Sequence, residues 1–292
     1  MSPTDRTRTL GSLHRGLAGE GTVRYLAVEA RGAAEAVQQA HGLGPDAARA
    51  AGEGLVAAVL MSAWIKGEER VTLQLQAEAP TAAFMADVDA EGGLRARFSP
   101  ADLHLPPGAG LRGLLYAIKA DRARELYRGV SPLDGRSIEA ALHAHLNASD
   151  QVNTLLRIQV EVENGRVRRA GGLLLERLPE DPGRPSIDPE TFLARYGGLT
   201  TAHLPEVFAE VAFGRLEGQV IAPLEDRMLR WRCGCGADTA RRILRSLGAE
   251  ELVSIRAELG KAELTCHFCN AAWAFAGPDL DALIAEATAA QA

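Results

Sequence analysis

The stretch Cys233-Gly-Cys235, followed after thirty residues (236–265) by Cys266-His-Phe-Cys269, contains all four cysteines of the 292-residue chain. Two close pairs of this kind are typical of a tetrahedral zinc site, in which each thiolate lies about 2.3 Å from one ion. The spacing therefore predicts one Zn²⁺ per chain, bound by Cys233, Cys235, Cys266 and Cys269. By spacing alone, a zinc ribbon that only stabilises a small domain and a redox-active site are equally open.

The composition is that of a globular protein, with 47% hydrophobic and 24% charged residues. The net charge of −6 argues against a large nucleic-acid-binding surface, which usually needs clustered basic side chains. The longest apolar run, residues 55–65, is about half the length of a membrane-spanning helix, and residues 1–19 lack the apolar stretch of a secretory signal. We therefore expect a cytoplasmic protein without a membrane partner. In the cytoplasm, paired cysteines usually indicate metal or redox chemistry.

Residues 1–178 predict an α+β domain in which helices pack on antiparallel strands. A helix beginning at Pro45 has apolar side chains around nearly its whole circumference, which indicates a central buried helix. Asn164-Gly165, between two strand-like segments, predicts a hairpin with a type I′ turn because both residues tolerate positive φ. Other predicted strands cover 22–30, 71–77, 84–89, 94–98, 114–119 and 125–130, and other helices cover 33–40 and 137–146, with Ser137 as N-cap.

A helical linker is predicted over residues 179–227. Its beginning is marked by four prolines, which prevent regular structure, and two helices are predicted at 188–196 and 205–213. The linker is rich in aromatic side chains, which either dock its helices on a neighbouring domain or bind a partner. The aromatic residues are Phe192, Tyr196, Phe208 and Phe213.

Residues 228–292 predict a small four-cysteine zinc domain. A strand over 228–232 leads into the first cysteine pair, and a hairpin flanks the second pair. The predicted remainder consists of helices over 237–247 and 250–259, hairpin strands over 262–265 and 272–275, and a terminal helix that begins at Pro278.

Several further segments accompany the cysteine frame. They are Leu244-Arg-Ser-Leu-Gly-Ala-Glu-Glu-Leu252, Leu264-Thr-Cys-His-Phe-Cys-Asn270, Ala170-Gly-Gly-Leu-Leu-Leu175, Ser149-Asp-Gln-Val-Asn-Thr154 and Leu60-Met-Ser-Ala-Trp-Ile-Lys66. With the cysteines, they resemble the heat-shock protein 33 family, the redox-regulated holdase chaperones of bacteria, over nearly the whole chain. The chain departs from the family pattern at Glu78-Ala-Pro80, where a Gly-Pro pair is usual, and at 94–98, which lacks a Gly-Tyr element.

The resemblance implies a function and a mechanism. Reduced, zinc-bound members are inactive; oxidation forms two local disulfides, one in each cysteine pair, releases zinc and destabilises the linker. The exposed apolar surface then binds unfolding client proteins without ATP, and activated members commonly form homodimers. On this basis Phe192, Tyr196, Phe208 and Phe213, together with a face of the N-terminal sheet, are predicted to bind clients. No Walker-type glycine loop is present, in agreement with ATP-independent action.

A zinc ribbon that binds nucleic acid is the alternative interpretation. Arginines cluster on the Asn-Gly hairpin and on one helix of the small domain, although such clusters are more often solvated faces and the acidic total disfavours phosphate contacts. We therefore expect no nucleic-acid partner. The clusters are Arg166, Arg168 and Arg169, and Arg241, Arg242 and Arg245.

An enzyme with a structural zinc is a third class. His143 and His145, near Asp150, are the nearest approach to a catalytic cluster, but two residues apart on a helix they point to different sides. His267 is a fifth potential ligand, but a site already filled by four sulfur atoms has no vacant position for it. A thiol oxidoreductase would favour Cys-x-x-Cys at a helix N-terminus, whereas Cys266 follows a predicted strand. We therefore expect no enzymatic activity and no catalytic residue.

Overall fold

The computed structural model describes residues 8–18, 21–149, 154–179, 215–216, 219–220 and 222–289. The chain divides into two compact units, residues 1–232 and 233–292. The predicted linker helices and the aromatic residues Phe192, Tyr196, Phe208 and Phe213 lie outside the described residues. The division into 1–178, 179–227 and 228–292 therefore stays a prediction.

The first unit is built on one ten-stranded sheet with helices packed against it, so the α+β prediction is confirmed. The strands of this sheet are β1 (Thr9–Ala18), β2 (Val23–Glu29), β3 (Arg70–Ala79), β4 (Thr81–Asp89), β5 (Gly93–Ser99), β6 (Arg112–Ala120), β7 (Glu125–Asp134), β8 (Thr154–Glu163), β9 (Arg166–Arg177) and β12 (Ala222–Trp231); β10 (Arg215–Leu216) pairs separately with β11 (Gln219–Val220). In the large sheet the strands follow the order β7-β6-β3-β4-β5-β12-β1-β2-β9-β8, and every pair is antiparallel except β5–β12.

The centre of this sheet is formed by strands from opposite ends of the unit. β12 lies between β5 and β1, and His14 on β1 contacts Asp226 on β12 across 212 positions of sequence. The segment predicted as a strand over 228–232 is thus part of the large sheet. β1 was not predicted from the sequence, because its pattern is broken by polar side chains and its partner is remote in the chain.

The central helix of the unit is α2 (Pro45–Met61), which is buried along most of its length as predicted. A Cβ at Gly54 would lie 2.6 Å from the Phe84 ring, so glycine allows the helix to approach β4 closely. Two guanidinium groups from the sheet stabilise the helix C-terminus: Arg227 donates to the Ser62 carbonyl at 3.0 Å and Arg15 to the Ala63 carbonyl at 2.7 Å.

Two local predictions are confirmed by backbone geometry. Asn164 and Gly165 have φ of 51° and 72°, the left-handed conformations that a type I′ turn requires. Ser137 Oγ accepts a hydrogen bond from the Ala140 N–H at 3.2 Å and caps the third helix. The remaining helices of the unit are α1 (Arg31–His41), α3 (Ile138–Ser149) and a 3₁₀ turn at Ser62–Trp64. No helix within the described ranges is long and apolar enough to span a membrane.

The second unit contains the predicted helices and hairpin around a small core. The Arg241 guanidinium lies over the Phe275 ring at 5.2 Å and covers one side of that core. Its elements are α4 (Ala237–Arg245), α5 (Ala249–Glu258), β13 (Lys261–Thr265), β14 (Ala272–Ala276) and α6 (Pro278–Ala289). The buried core residues are Ala240, Leu244, Leu252, Ala262, Phe275, Leu280, Leu283 and Ala287.

The packing of α2 leads to a stability prediction. Leu60 is fully buried, so Leu60→Ala should lower the free energy of unfolding of the large unit by about 2–5 kcal/mol through lost burial and a residual cavity. Leu114, on β6, is 41% exposed, and Leu114→Ala should change the free energy of unfolding by less than about 0.5 kcal/mol. Urea denaturation followed by circular dichroism measures both, and equal costs would contradict the assignment of α2 as the core.

Candidate metal centre

The two cysteine pairs lie in loops at the start of the small unit and in its hairpin. Cys266 and Cys269 occupy the loop between β13 and β14, where a tight turn is closed by two backbone hydrogen bonds of 2.9 Å, from Cys266 N–H to the Ala271 carbonyl and from Asn270 N–H to the Cys266 carbonyl. Asn270 has φ of 53°, which completes the reversal. Because this turn directs both sulfur atoms to one side, the predicted knuckle between two strands is present.

The fold brings the sulfur atoms of both pairs together. Two contacts run between the pairs, with 3.5 Å from Cys233 Sγ to Cys266 Sγ and 3.3 Å from Cys235 Sγ to Cys269 Sγ. All four sulfurs lie within 4.8 Å of one another, and all four cysteines are free thiols. Four ligands about 2.3 Å from one ion would be about 3.8 Å apart. The cluster thus has the size and ligand chemistry of a four-thiolate metal site.

The surroundings of the sulfur atoms differ. Cys233 is buried, and the other three cysteines are partly exposed. Burial raises the pKa of Cys235, and the neighbouring Cys233 and Cys269 sulfurs raise it further. Burial also raises the pKa of Cys269, against an opposing backbone hydrogen bond from Ala271.

The Cys266 sulfur lies in a different electrostatic environment. Burial acts to raise its pKa, but hydrogen bonds from the backbone N–H groups of Phe268 and Cys269 outweigh this effect, and the pKa falls to about 7. The turn thus directs N–H donors at a sulfur atom, an arrangement that favours the thiolate form required of a metal ligand.

The other histidine and arginine predictions fall outside this centre. His267 is exposed and is not part of the sulfur cluster. Arg241 lies 3.6 Å from Asp279 and Arg245 lies 3.4 Å from Glu286, so both contribute to the small unit's own ion pairs. In the large unit, Arg169 similarly pairs with Glu161 at 3.3 Å.

The histidines proposed as a weak catalytic cluster point to different environments, as expected. His145 is buried, with Ser131 Oγ 2.9 Å from its Nδ1, whereas His143 Nε2 lies 2.6 Å from the Thr154 carbonyl oxygen. These contacts join α3 to β7 and β8. Asp150 lies outside the described residues.

A different histidine, His14, lies in an arrangement that resembles a catalytic triad, which was not predicted from the sequence. Ser12 Oγ lies 2.8 Å from His14 Nε2, and His14 Nδ1 lies 2.7 Å from Asp226 Oδ1, in the order of a nucleophile, base and carboxylate. Because β1 is paired on both sides, its N–H groups point along the sheet towards β2 and β12. The trio therefore lacks strand N–H donors for an oxyanion, which acyl-transfer sites require.

The fold and the site together define an α+β protein with a small domain organised around a four-thiol cluster of metal-binding geometry. Comparison with known proteins identifies the family, because the family model described as Hsp33 protein matches residues 11–276. The chain belongs to the Hsp33 family of chaperones.

Individual relatives agree with this assignment along the chain. The 33 kDa chaperonin of Citrifermentans bemidjiense is 30% identical and aligns over 94% of this chain and 97% of its own length. That of Syntrophotalea carbinolica is 28% identical over 91% of this chain and 96% of its own. The crystal structure of the heat shock protein 33 homologue of Thermotoga maritima has a similar fold, with a TM-score of 0.81 and 22% identity over 96% of this chain and 99% of that one.

Proposed function

We propose that this protein is a redox-regulated, ATP-independent holdase of the bacterial cytoplasm. In the reduced state Cys233, Cys235, Cys266 and Cys269 hold one Zn²⁺, and the chaperone is inactive. On oxidation the cysteines form disulfides, zinc leaves, and the protein binds unfolding clients before they aggregate. The observation that carries the proposal is the convergence of four thiols, three of them partly exposed, in a chain of the Hsp33 family.

The accessibility of the sulfur atoms supports a redox switch rather than a purely structural metal site. An oxidant must reach a sulfur to react with it, and Cys235, Cys266 and Cys269 each have accessible surface. Gly234 adds to this openness, since a Cβ at that position would meet no atom within 4 Å. A ligand set enclosed in the protein interior would instead favour a purely structural role.

The covalent chemistry of the switch uses only thiols and peroxide. One sulfur attacks peroxide to give a sulfenic acid with release of water, or hydroxide from a thiolate; the second thiol of the pair then displaces the sulfenic hydroxyl to form a disulfide and water. Each pair loses two electrons, and peroxide accepts them. Bound zinc would hold the four sulfurs as thiolates, and sulfurs joined in disulfides no longer offer thiolate ligands.

The geometry bears on how the pairs react. Sulfur contacts of 3.5 Å and 3.3 Å join the pairs, Cys233 to Cys266 and Cys235 to Cys269, whereas the proposed disulfides form within pairs. Since a disulfide bond is about 2.05 Å long, forming one within each pair moves the sulfur atoms out of their present arrangement. We infer that oxidation therefore disrupts the cluster and loosens the adjoining core.

The linker, residues 179–227, would transmit this change. Its aromatic residues Phe192, Tyr196, Phe208 and Phe213 are proposed to contact clients once the linker is released, and the activated chain is proposed to form a homodimer. The function requires no catalytic residue and no nucleic-acid or membrane partner. The pairing of Arg241 and Arg245 with acidic side chains supports a structural use of the basic cluster that motivates the nucleic-acid alternative.

The proposal is tested by client aggregation. Reduced, zinc-loaded protein should leave the light scattering of a thermally unfolding client at the control rate. After hydrogen peroxide and mild heat, the protein should release one zinc per chain, lose four free thiols and suppress the scattering. Zinc release and thiol loss are followed with a chelating dye and a thiol reagent. An oxidised, zinc-free protein that leaves aggregation unchanged would refute the chaperone switch.

A further inference from the structure

A cleft in the large unit is separate from the cysteine site. It lies between the first half of α2, the loop at residues 105–111 and the turn at 135–138 that leads into α3. The cleft encloses about 650 Å³ of space, its open mouth included. Gly108, Gly110 and Gly135 line it with backbone, so a bound molecule would meet few bulky side chains on that side.

Most charges that line the cleft already have partners. Asp46 forms an ion pair with Arg49 at 3.1 Å, lies 3.2 Å from His104 Nδ1, and also accepts the Leu105 N–H. Arg136 pairs with Asp134 at 2.7 Å. The basic groups in the cleft are thus neutralised by neighbouring carboxylates.

Glu53 is the exception. It lies one turn after Arg49 on α2, lines the cleft, is largely buried and makes no hydrogen bond to any residue in the described ranges. Burial raises the pKa of its carboxyl to about 7; Arg49 opposes this effect, and Glu139 on α3 adds to it. Glu139 itself accepts the Ile158 N–H at 2.6 Å. Partial burial of a carboxylate without a hydrogen-bond partner costs free energy, and a cation beside it would lower that cost.

We propose that this cleft binds a small organic cation, an alkylammonium or alkylguanidinium group, whose charge pairs with the Glu53 carboxylate. An anion is disfavoured because Arg49 and Arg136 are already paired, which leaves a net acidic interior. The alkyl portion would lie against Ala50 and Ile138 at the cleft wall. This site is independent of the cysteine cluster and of the redox function.

The test is a chemical-shift titration of the reduced, zinc-loaded full chain with n-butylammonium chloride, with sodium chloride at equal ionic strength as the reference. Amide signals of Ala50, Glu53 and Gly108 should shift saturably, with a roughly millimolar dissociation constant for one charge-assisted pair. Glu53→Gln should weaken binding at least about tenfold, because an amide carries no charge. The matched control, Glu68→Gln, changes a glutamate that is 61% exposed and should leave binding unchanged.

A pH series on the unmodified chain provides a second measurement in case Glu53→Gln fails to fold. The ionised fraction of a carboxyl with a pKa of about 7 rises roughly tenfold between pH 6 and pH 8, so binding should tighten by about that factor. Asp46, Arg49, Arg136 and Glu139 are the other charged groups around the carboxyl. Shifts that never saturate, or binding equal at both pH values and in Glu53→Gln, would show that the Glu53 carboxylate does not bind the cation and would overturn the proposal.

Discussion

Removing the proposed zinc from the reduced protein should unfold residues 233–292 while the ten-stranded sheet stays folded. Among the described residues of the small unit, the hydrophobic core has eight buried side chains, and three of these are alanines. Structural zinc sites contribute about 10 kcal/mol or more of apparent folding free energy at neutral pH, which exceeds what so small a core supplies. The sheet unit has its own core around α2, and its stability does not depend on the thiols.

Amide hydrogen exchange measured by mass spectrometry distinguishes the two units. After treatment with a strong chelator under reducing conditions, peptides from 237–289 should lose protection, and peptides from β3 and β4 should keep it. Adding Zn²⁺ should restore protection, whereas Mg²⁺ should not, because magnesium prefers oxygen ligands. Protection of 237–289 that survives complete metal removal would contradict the dependence of this unit on the metal.

Cys269→Ser should weaken zinc binding and release the chaperone from redox control. A hydroxyl is a poor replacement for a thiolate, and loss of one of four ligands should cost more than the roughly 10–100-fold associated with loss of an outer-shell contact. The Cys235 sulfur, 3.3 Å from that of Cys269, would lose this contact in the cluster. We expect aggregation to be suppressed without peroxide, measured together with zinc content and competition by a chelating dye.

His267→Ala provides the matched control within the same loop. His267 lies between the two cysteines but is exposed and outside the sulfur cluster, so this variant should keep one zinc per chain and its peroxide requirement. Unchanged metal content and activity in Cys269→Ser would show that the four-ligand assignment is wrong. Loss of zinc in His267→Ala would instead point to a ligand set that includes the histidine.

Elements specified by neighbouring residues were predicted well from the sequence. Helix α2 follows from its apolar surface after Pro45, and the β8–β9 hairpin follows from Asn164-Gly165, whose positive φ values suit a type I′ turn. The knuckle follows similarly from the spacing of Cys266 and Cys269. In each case the signal lies within a few residues, since capping, turn formation and helical periodicity are local effects.

Elements that depend on distant partners were not predicted. β1 contains Ser12, His14 and Arg15, a polar pattern that does not indicate a strand, and its stability comes from pairing with β2 and with the remote β12. The environment of the Glu53 side chain was not predicted from the sequence either. A glutamate between two glycines in the sequence suggests a polar stripe, but α2 is covered on several sides, so this side chain is largely buried at the wall of an open cleft.

The sequence by itself determined the two-pair cysteine frame, the α+β class, most helices and hairpins, and a resemblance that the family comparison confirmed. The tertiary structure alone decided the order β5–β12–β1, the contacts of sulfur atoms between pairs, their partial exposure and the burial of Glu53. The physical reason is the range of the interactions. Turns and helices are set by adjacent residues, whereas strand order, exposure and electrostatic environment are set by residues far apart in the chain.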